Sequence, residues 1–131
     1  MNLPDAPSRG LRIPEEVFTL TINGRPVTAD LDAANAPCTV NSLSFLADQG
    51  YFDATTCHRL TTSDTLKVLQ CGDPAGDGTG GPGYSFANEN TENATYPAGT
   101  LAMANSGGTD SNGSQFFIVY GDSTLDPNYT V

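Results

Sequence analysis

This chain has no tryptophan, one histidine, and only five lysines and arginines against fifteen acidic residues. Each scarcity removes a class of function. A formal net charge of -10 repels nucleic-acid phosphates and anionic lipid, so neither is an expected partner. No apolar run approaches the length of a membrane span, so no integral membrane segment is expected. No charged n-region leads into an apolar h-region, so no signal peptide is read at the start. The single histidine, His58, is the immediate neighbour of Cys57, which leaves a thiol protease without a usable base. Cys38, Cys57 and Cys71 follow no zinc spacing. Gly78-x-Gly80-x-x-Gly83 satisfies a dinucleotide pattern, but Pro82 sits inside it and Tyr84-Ser85-Phe86 opens no helix. Asp110-x-Asn112-Gly113 lacks the remaining ligands of a calcium loop. No metal and no other cofactor is expected.

What is present is a chain of 131 residues, enough for one domain with one core. Fourteen glycines and nine prolines puncture it often, which favours short strands and many turns. Residues 1–14 are polar and proline-rich and read as a flexible leader, with one domain over 15–131. Val17 to Ile22 alternates bulky and polar residues, as a half-buried strand does. Asn23-Gly24 is a hairpin turn, and Arg25 to Leu31 is the returning strand. Pro37 suits the first turn of a helix with Val40, Leu43, Leu46 and Ala47 on its apolar face and Gly50 as its stop. Further strands are expected at Cys57–Leu60, Val68–Cys71, Leu101–Ala104, Phe116–Tyr120 and from Tyr129 onward. Three free cysteines would most simply be small buried apolar residues.

Two runs carry more than packing. The first is Gly99-Thr-Leu-Ala-Met-Ala-Asn-Ser-Gly-Gly-Thr-Asp-Ser-Asn-Gly-Ser-Gln-Phe-Phe117. The second combines Cys57-His58-Arg59-Leu60, Val68-Leu69-Gln70-Cys71-Gly72-Asp73-Pro74 and Gly78-Thr79-Gly80-Gly81-Pro82-Gly83. Together, and in this order, they resemble the cyclophilins, the peptidyl-prolyl cis/trans isomerases. The resemblance covers residues 17–131 and implies a mainly β fold, a closed antiparallel barrel with a capping helix. A second helix and a final strand of the family pattern have no counterpart here, so the domain reads as incomplete at its C-terminus. In such a barrel Cys57 and Cys71 lie on neighbouring strands, where a disulfide would imply an oxidising, extracytoplasmic setting. The pattern around these cysteines is similar to exported or membrane-anchored bacterial members.

The implied reaction is rotation about an X–Pro bond, and it needs no covalent chemistry. Arg59 would donate to the twisted amide nitrogen, since a guanidinium stays protonated and an apolar wall strengthens its donation. Gln70 would orient Arg59 and bond the substrate backbone. Phe117 would floor the proline pocket, while Phe116 points into the core. Asn105 would offer its backbone, with Ala104 beside it. Val68, Gln115, Leu125 and Tyr129 would complete the substrate-binding surface. Each has a plainer reading: Arg59 as a rim residue covering the barrel with its stem, Gln70 as a solvent-facing strand residue, Asn105 as a turn former. His58 reads as a buried, hydrogen-bonded structural residue, because this reaction has no proton to abstract. The sequence departs from the family at the pocket wall. The segment between Arg59 and Gln70 is longer, and Lys67 stands where an aromatic is usual, with Leu66 the nearest apolar substitute. Val68 replaces a Met-like residue, Thr124 a Trp, and Tyr129 a His. Weak binding of cyclosporin-type ligands follows from the missing Trp. The expected partners are Pro-containing peptides or unfolded proteins, met by a monomer. The alternative is a Pro-peptide binding module or holdase with little turnover.

Overall fold

The structure, a computed structural model, describes residues 15–131, and the leader expected at 1–14 lies outside the described residues. β1 (Glu15–Ile22) and β2 (Arg25–Asp32) pair antiparallel along their whole length. Asn23 and Gly24 between them both take positive φ, 52° and 78°. This is the twist of a type I′ turn, which matches that of the flanking strands. Asp32 shapes the next turn by accepting the backbone N–H of Asn35 at 3.2 Å and its side-chain amide at 2.7 Å.

Helix α1 (Pro37–Asp48) starts on its proline, whose missing N–H costs nothing in the first turn. Val40, Leu43 and Leu46 are buried as the spacing predicts. Ala47 is exposed, because one step past Leu46 turns the side chain about 100° off the buried stripe. The helix start is capped from a distant loop. The Glu89 carboxylate accepts the N–H groups of Cys38 (3.2 Å) and Thr39 (2.7 Å). Two orphan donors are satisfied, and a negative charge meets the positive end of the helix.

β3 (Arg59–Leu60), β4 (Val68–Cys71), β5 (Leu101–Met103) and β6 (Phe116–Val119) form a second antiparallel sheet in the order β3-β4-β6-β5. The strand expected over Cys57–Leu60 shrinks to two residues. Its register resumes only at an isolated bridge between Thr56 and Asp73. Gly72 causes the break. Its φ of +88° is incompatible with a strand, and a Cβ there would stand 2.3 Å from the Ser114 carbonyl oxygen. The strand expected from Tyr129 does not form either. Only Thr130 meets β5, through its carbonyl and the Met103 N–H at 2.9 Å.

The two sheets meet through three phenylalanines packed edge to face. Phe18 of β1, Phe52 after α1 and Phe116 of β6 have ring centroids 5.9 to 6.2 Å apart. Such pairs each add about 0.5–1.5 kcal/mol beyond the area they bury. Leu43 of α1 joins Phe116, Met103 and Cys71 in the same core. The mainly β architecture with one packed helix agrees with the expectation. The cysteines do not behave alike: Cys57 and Cys71 form a disulfide, whereas Cys38 is a free, exposed thiol. No helix among the described residues is long and apolar enough to cross a membrane.

The disulfide closes a loop with a sequence separation of 14. A loop of this size is expected to contribute about 3 kcal/mol. Reduction should therefore lower the denaturant midpoint markedly, as followed by circular dichroism with and without dithiothreitol. An unchanged midpoint would mean that the bond does not stabilise the fold.

Candidate active site

Cross-strand register builds the site. Arg59 of β3 lies opposite Gln70 of β4, and Gln70 lies opposite Phe117 of β6. Residues directly opposite in an antiparallel sheet project from the same face. Val68, two residues before Gln70, shares that face. The result is a pocket of 230 Å³ lined by Arg59, Leu66, Val68, Gln70, Ala104, Asn105, Phe117, Leu125 and Tyr129. Eight of the nine residues expected in the site converge here. The ninth, Gln115, lines the adjoining cleft of 680 Å³, which Gln70, Ala104 and Asn105 share with the pocket.

The pocket floor is apolar. Val68 and Phe117 are buried together with Tyr96, Ala102 and Val119. Phe116 faces the opposite side, into the aromatic core, as strand alternation requires. Tyr129 stands on Phe117 edge to face at 5.4 Å. At the lip, a chain of side-chain bonds fixes the cation. Arg59 donates through Nη1 to Gln70 Oε1 at 3.1 Å. Gln70 Nε2 donates to Gln115 Oε1 at 2.8 Å. Gln115 Nε2 donates in turn to the carbonyls of Gly78 (3.1 Å) and Gly80 (2.9 Å). Every link leaves the next amide one possible orientation, so the relay runs from the glycine-rich loop to the guanidinium. The Asn105 side chain is committed elsewhere, to Asn128 O (2.9 Å) and Gly107 N–H (3.0 Å). Its backbone N–H and C=O have no partner among the described residues, which leaves them to a ligand.

The wall is as the departures suggested. Leu66, not Lys67, reaches the pocket. Lys67 lays its stem over Gly121, and its N–H donates to Ser123 Oγ at 2.9 Å. Thr124 is exposed, and its N–H is spent on Thr65 O at 2.8 Å, so Leu125 supplies the apolar contact. His58 is only half-buried and departs from the expected hydrogen-bonded role. Its Nδ1 is buried without a partner among the described residues. Sequence reasoning missed Tyr96. It sits in an irregular stretch between Ala94 and Pro97 with no periodicity to mark it.

Asp73 holds the loop that anchors the relay. It is fully buried and accepts N–H groups from Ala75 (2.8 Å), Asp77 (3.0 Å) and Gly78 (2.5 Å). Burial pushes its carboxyl up, but backbone donors from Ala75, Gly78, Asp77 and Gly76 outweigh this and hold it below the ordinary carboxylate value. Gly80 is obligatory beside it, since a Cβ would come within 2.0 Å of Asp73 Oδ1.

A mainly β scaffold thus sets a guanidinium at the lip of a pocket with a buried aromatic floor. This chain belongs to the cyclophilin family: residues 17–131 match the family described as cyclophilin type peptidyl-prolyl cis-trans isomerase/CLD. It is 61% identical to a probable peptidyl-prolyl cis-trans isomerase B of Mycobacterium tuberculosis over 73% of this chain and 35% of that protein. It is 50% identical to the protein of the same name in Mycobacterium leprae over 98% of this chain and 48% of that one. The chain thus spans less than half the length of these relatives. A Cryptosporidium parvum cyclophilin type isomerase crystallised in the presence of the dipeptide Ala-Pro superposes with a TM-score of 0.75 at 28% identity, covering 88% of this chain and 75% of that one.

The lowered Asp73 value fixes the sign of a pH effect. Its stabilisation is complete above the unfolded carboxylate value of about 3.9 and is lost as pH falls through the lower folded value. Asp73→Asn should therefore be less stable than the parent at neutral pH, and the gap should close under acid. A gap constant from neutral to strongly acidic pH would show that the ionised form does not hold the loop.

Proposed function

We propose that this domain accelerates cis–trans isomerisation of X–Pro bonds in peptides and unfolded chains. The Arg59–Gln70 pair poised over Phe117 carries the reading. Amide resonance sets a barrier of about 18–20 kcal/mol, and twisting the bond breaks that resonance. The nitrogen then regains a lone pair. A guanidinium donor aimed at that nitrogen stabilises the twisted state and gains nothing from the planar one, which is what lowers a barrier. The proline ring enters the apolar pocket and rests on Phe117. With the ring held, the preceding carbonyl swings about the bond, while the Asn105 backbone and the Gln115 cleft bond the flanking peptide. The buried apolar floor strengthens each polar interaction made beside it. No proton moves, and no group is transferred.

The Ala-Pro dipeptide named with the Cryptosporidium parvum structure supports a Pro-containing ligand for this pocket. The Cys57–Cys71 disulfide supports an oxidising, extracytoplasmic setting, since such bonds persist there and are rare in reducing cytosol.

The test is cis-to-trans conversion of a short Ala-Pro peptide. The domain should shorten a reaction that otherwise takes on the order of tens to hundreds of seconds. Arg59→Ala should lower kcat/KM by about 10²–10³-fold, the usual cost of removing one transition-state donor. Peptide affinity should change far less. Equal losses of affinity and turnover, or no acceleration by the parent, would favour a binding module.

A further inference from the structure

Among the aromatic residues of this domain, Tyr96 makes a contact that packing alone does not explain. It is buried beneath the proline pocket, yet its phenol bonds both polar groups of one residue. Tyr96 Oη donates to the Tyr129 carbonyl at 2.7 Å and accepts the Tyr129 N–H at 3.0 Å. Burial pushes the Tyr96 phenol above its ordinary value, so the proton stays in place to be donated.

The clamp matters because side chains hold most of this stretch: its one backbone bond to β5 runs from the Met103 N–H to the Thr130 carbonyl at 2.9 Å, and the Thr130 hydroxyl accepts the Glu89 N–H at 2.9 Å. Residues 128–131 form no strand. The Asn128 carbonyl is held by the side chains of Asn88 and Asn105, and Val131 by the side chain of Asn90. Tyr129 itself is held by Tyr96. The Tyr96 ring also packs against both aromatics of the pocket, with centroids 6.5 Å from Phe117 and 6.0 Å from Tyr129. Tyr129 meets Phe117 almost perpendicularly, at 88°. One side chain therefore sets the backbone of the wall residue and backs both the wall and the floor.

We infer that Tyr96 is a positioning residue for substrate, acting through Tyr129: it fixes the aromatic wall against which the proline ring seats. This rests on the proposed reading of the pocket as a proline site. The pocket is then preorganised, and the cost of ordering Tyr129 is not charged to each binding event. Tyr96→Phe keeps the ring and removes only the clamp.

The experiment is titration of the domain with a short Ala-Pro peptide, followed by NMR, with turnover measured on the same samples. Tyr96→Phe should raise Kd by at least about fivefold, the low end of what two neutral hydrogen bonds contribute. KM should rise with it, while kcat stays close to that of the parent. Tyr129→Ala should by itself raise Kd, and adding Tyr96→Phe to it should raise Kd no further, because the ring being positioned is gone. A folded Tyr96→Phe domain with Kd within about twofold of the parent would overturn the inference, as would full additivity in the double variant. A parent that binds the peptide without turning it over would sink the isomerase reading but leave this comparison of Kd values intact. Hydrogen exchange in the parent gives a check that needs no variant. The Tyr129 amide should be protected from exchange, and a freely exchanging amide would overturn the clamp.

Discussion

Register across three short strands decides what this domain can do. Arg59 faces Gln70 and Gln70 faces Phe117, so a cation, its orienting amide and an aromatic floor share one face of the sheet. A slip of one residue along β4 would turn Gln70 inward and bring Leu69 and Cys71 to the pocket, since strand side chains alternate. Two features oppose that slip. The Cys57–Cys71 disulfide ties the approach to β3 to the end of β4, and the Phe18–Phe52–Phe116 cluster fixes β6 from the core side. This register places Arg59, Val68, Gln70 and Phe117, and the other five lining residues come from the connecting segments.

The loops supply what the strands lack. A two-residue β3 cannot hold a flexible guanidinium on its own, and the relay through Gln70 and Gln115 passes that task to the glycine-rich loop. The loop is rigid in turn because Asp73 collects three backbone N–H groups on one buried carboxylate. A buried charge is tolerable only when it is this fully hydrogen-bonded. A continuous set of hydrogen bonds thus runs from the Asp73 carboxylate through Gly78, Gln115 and Gln70 to Arg59.

Much of this was legible in the residues. Asn23-Gly24 announced its hairpin because a type I′ turn needs positive φ at both positions. Val68–Cys71 was read with its observed ends, and the Phe116/Phe117 alternation followed from the pleat. The membership of the pocket came from the resemblance of two motifs, which placed residues 59, 70, 105 and 117 together before any coordinates did. What failed did so where side chains replace main-chain pairing. Cys57 and His58 left the ladder because Gly72 is left-handed. Tyr129 and Val131 satisfy their backbones on Tyr96 and Asn90 and so never become a strand. Glu89 capping α1 and Tyr96 clamping Tyr129 are contacts between residues more than thirty positions apart, which no local pattern encodes.

The central claim is that Arg59 works because it is held. Gln70→Leu tests it most directly, since it leaves the guanidinium in the chain and removes the group that orients it. Exchange of an Ala-Pro peptide, read by NMR in the parent, in Gln70→Leu and in Gln70→Leu combined with Arg59→Ala, gives the answer. The account predicts that Gln70→Leu alone loses most of the turnover that Arg59 provides, and that the second substitution then adds little. A Gln70→Leu domain with undiminished turnover would show that the cation finds its position unaided and would contradict the account.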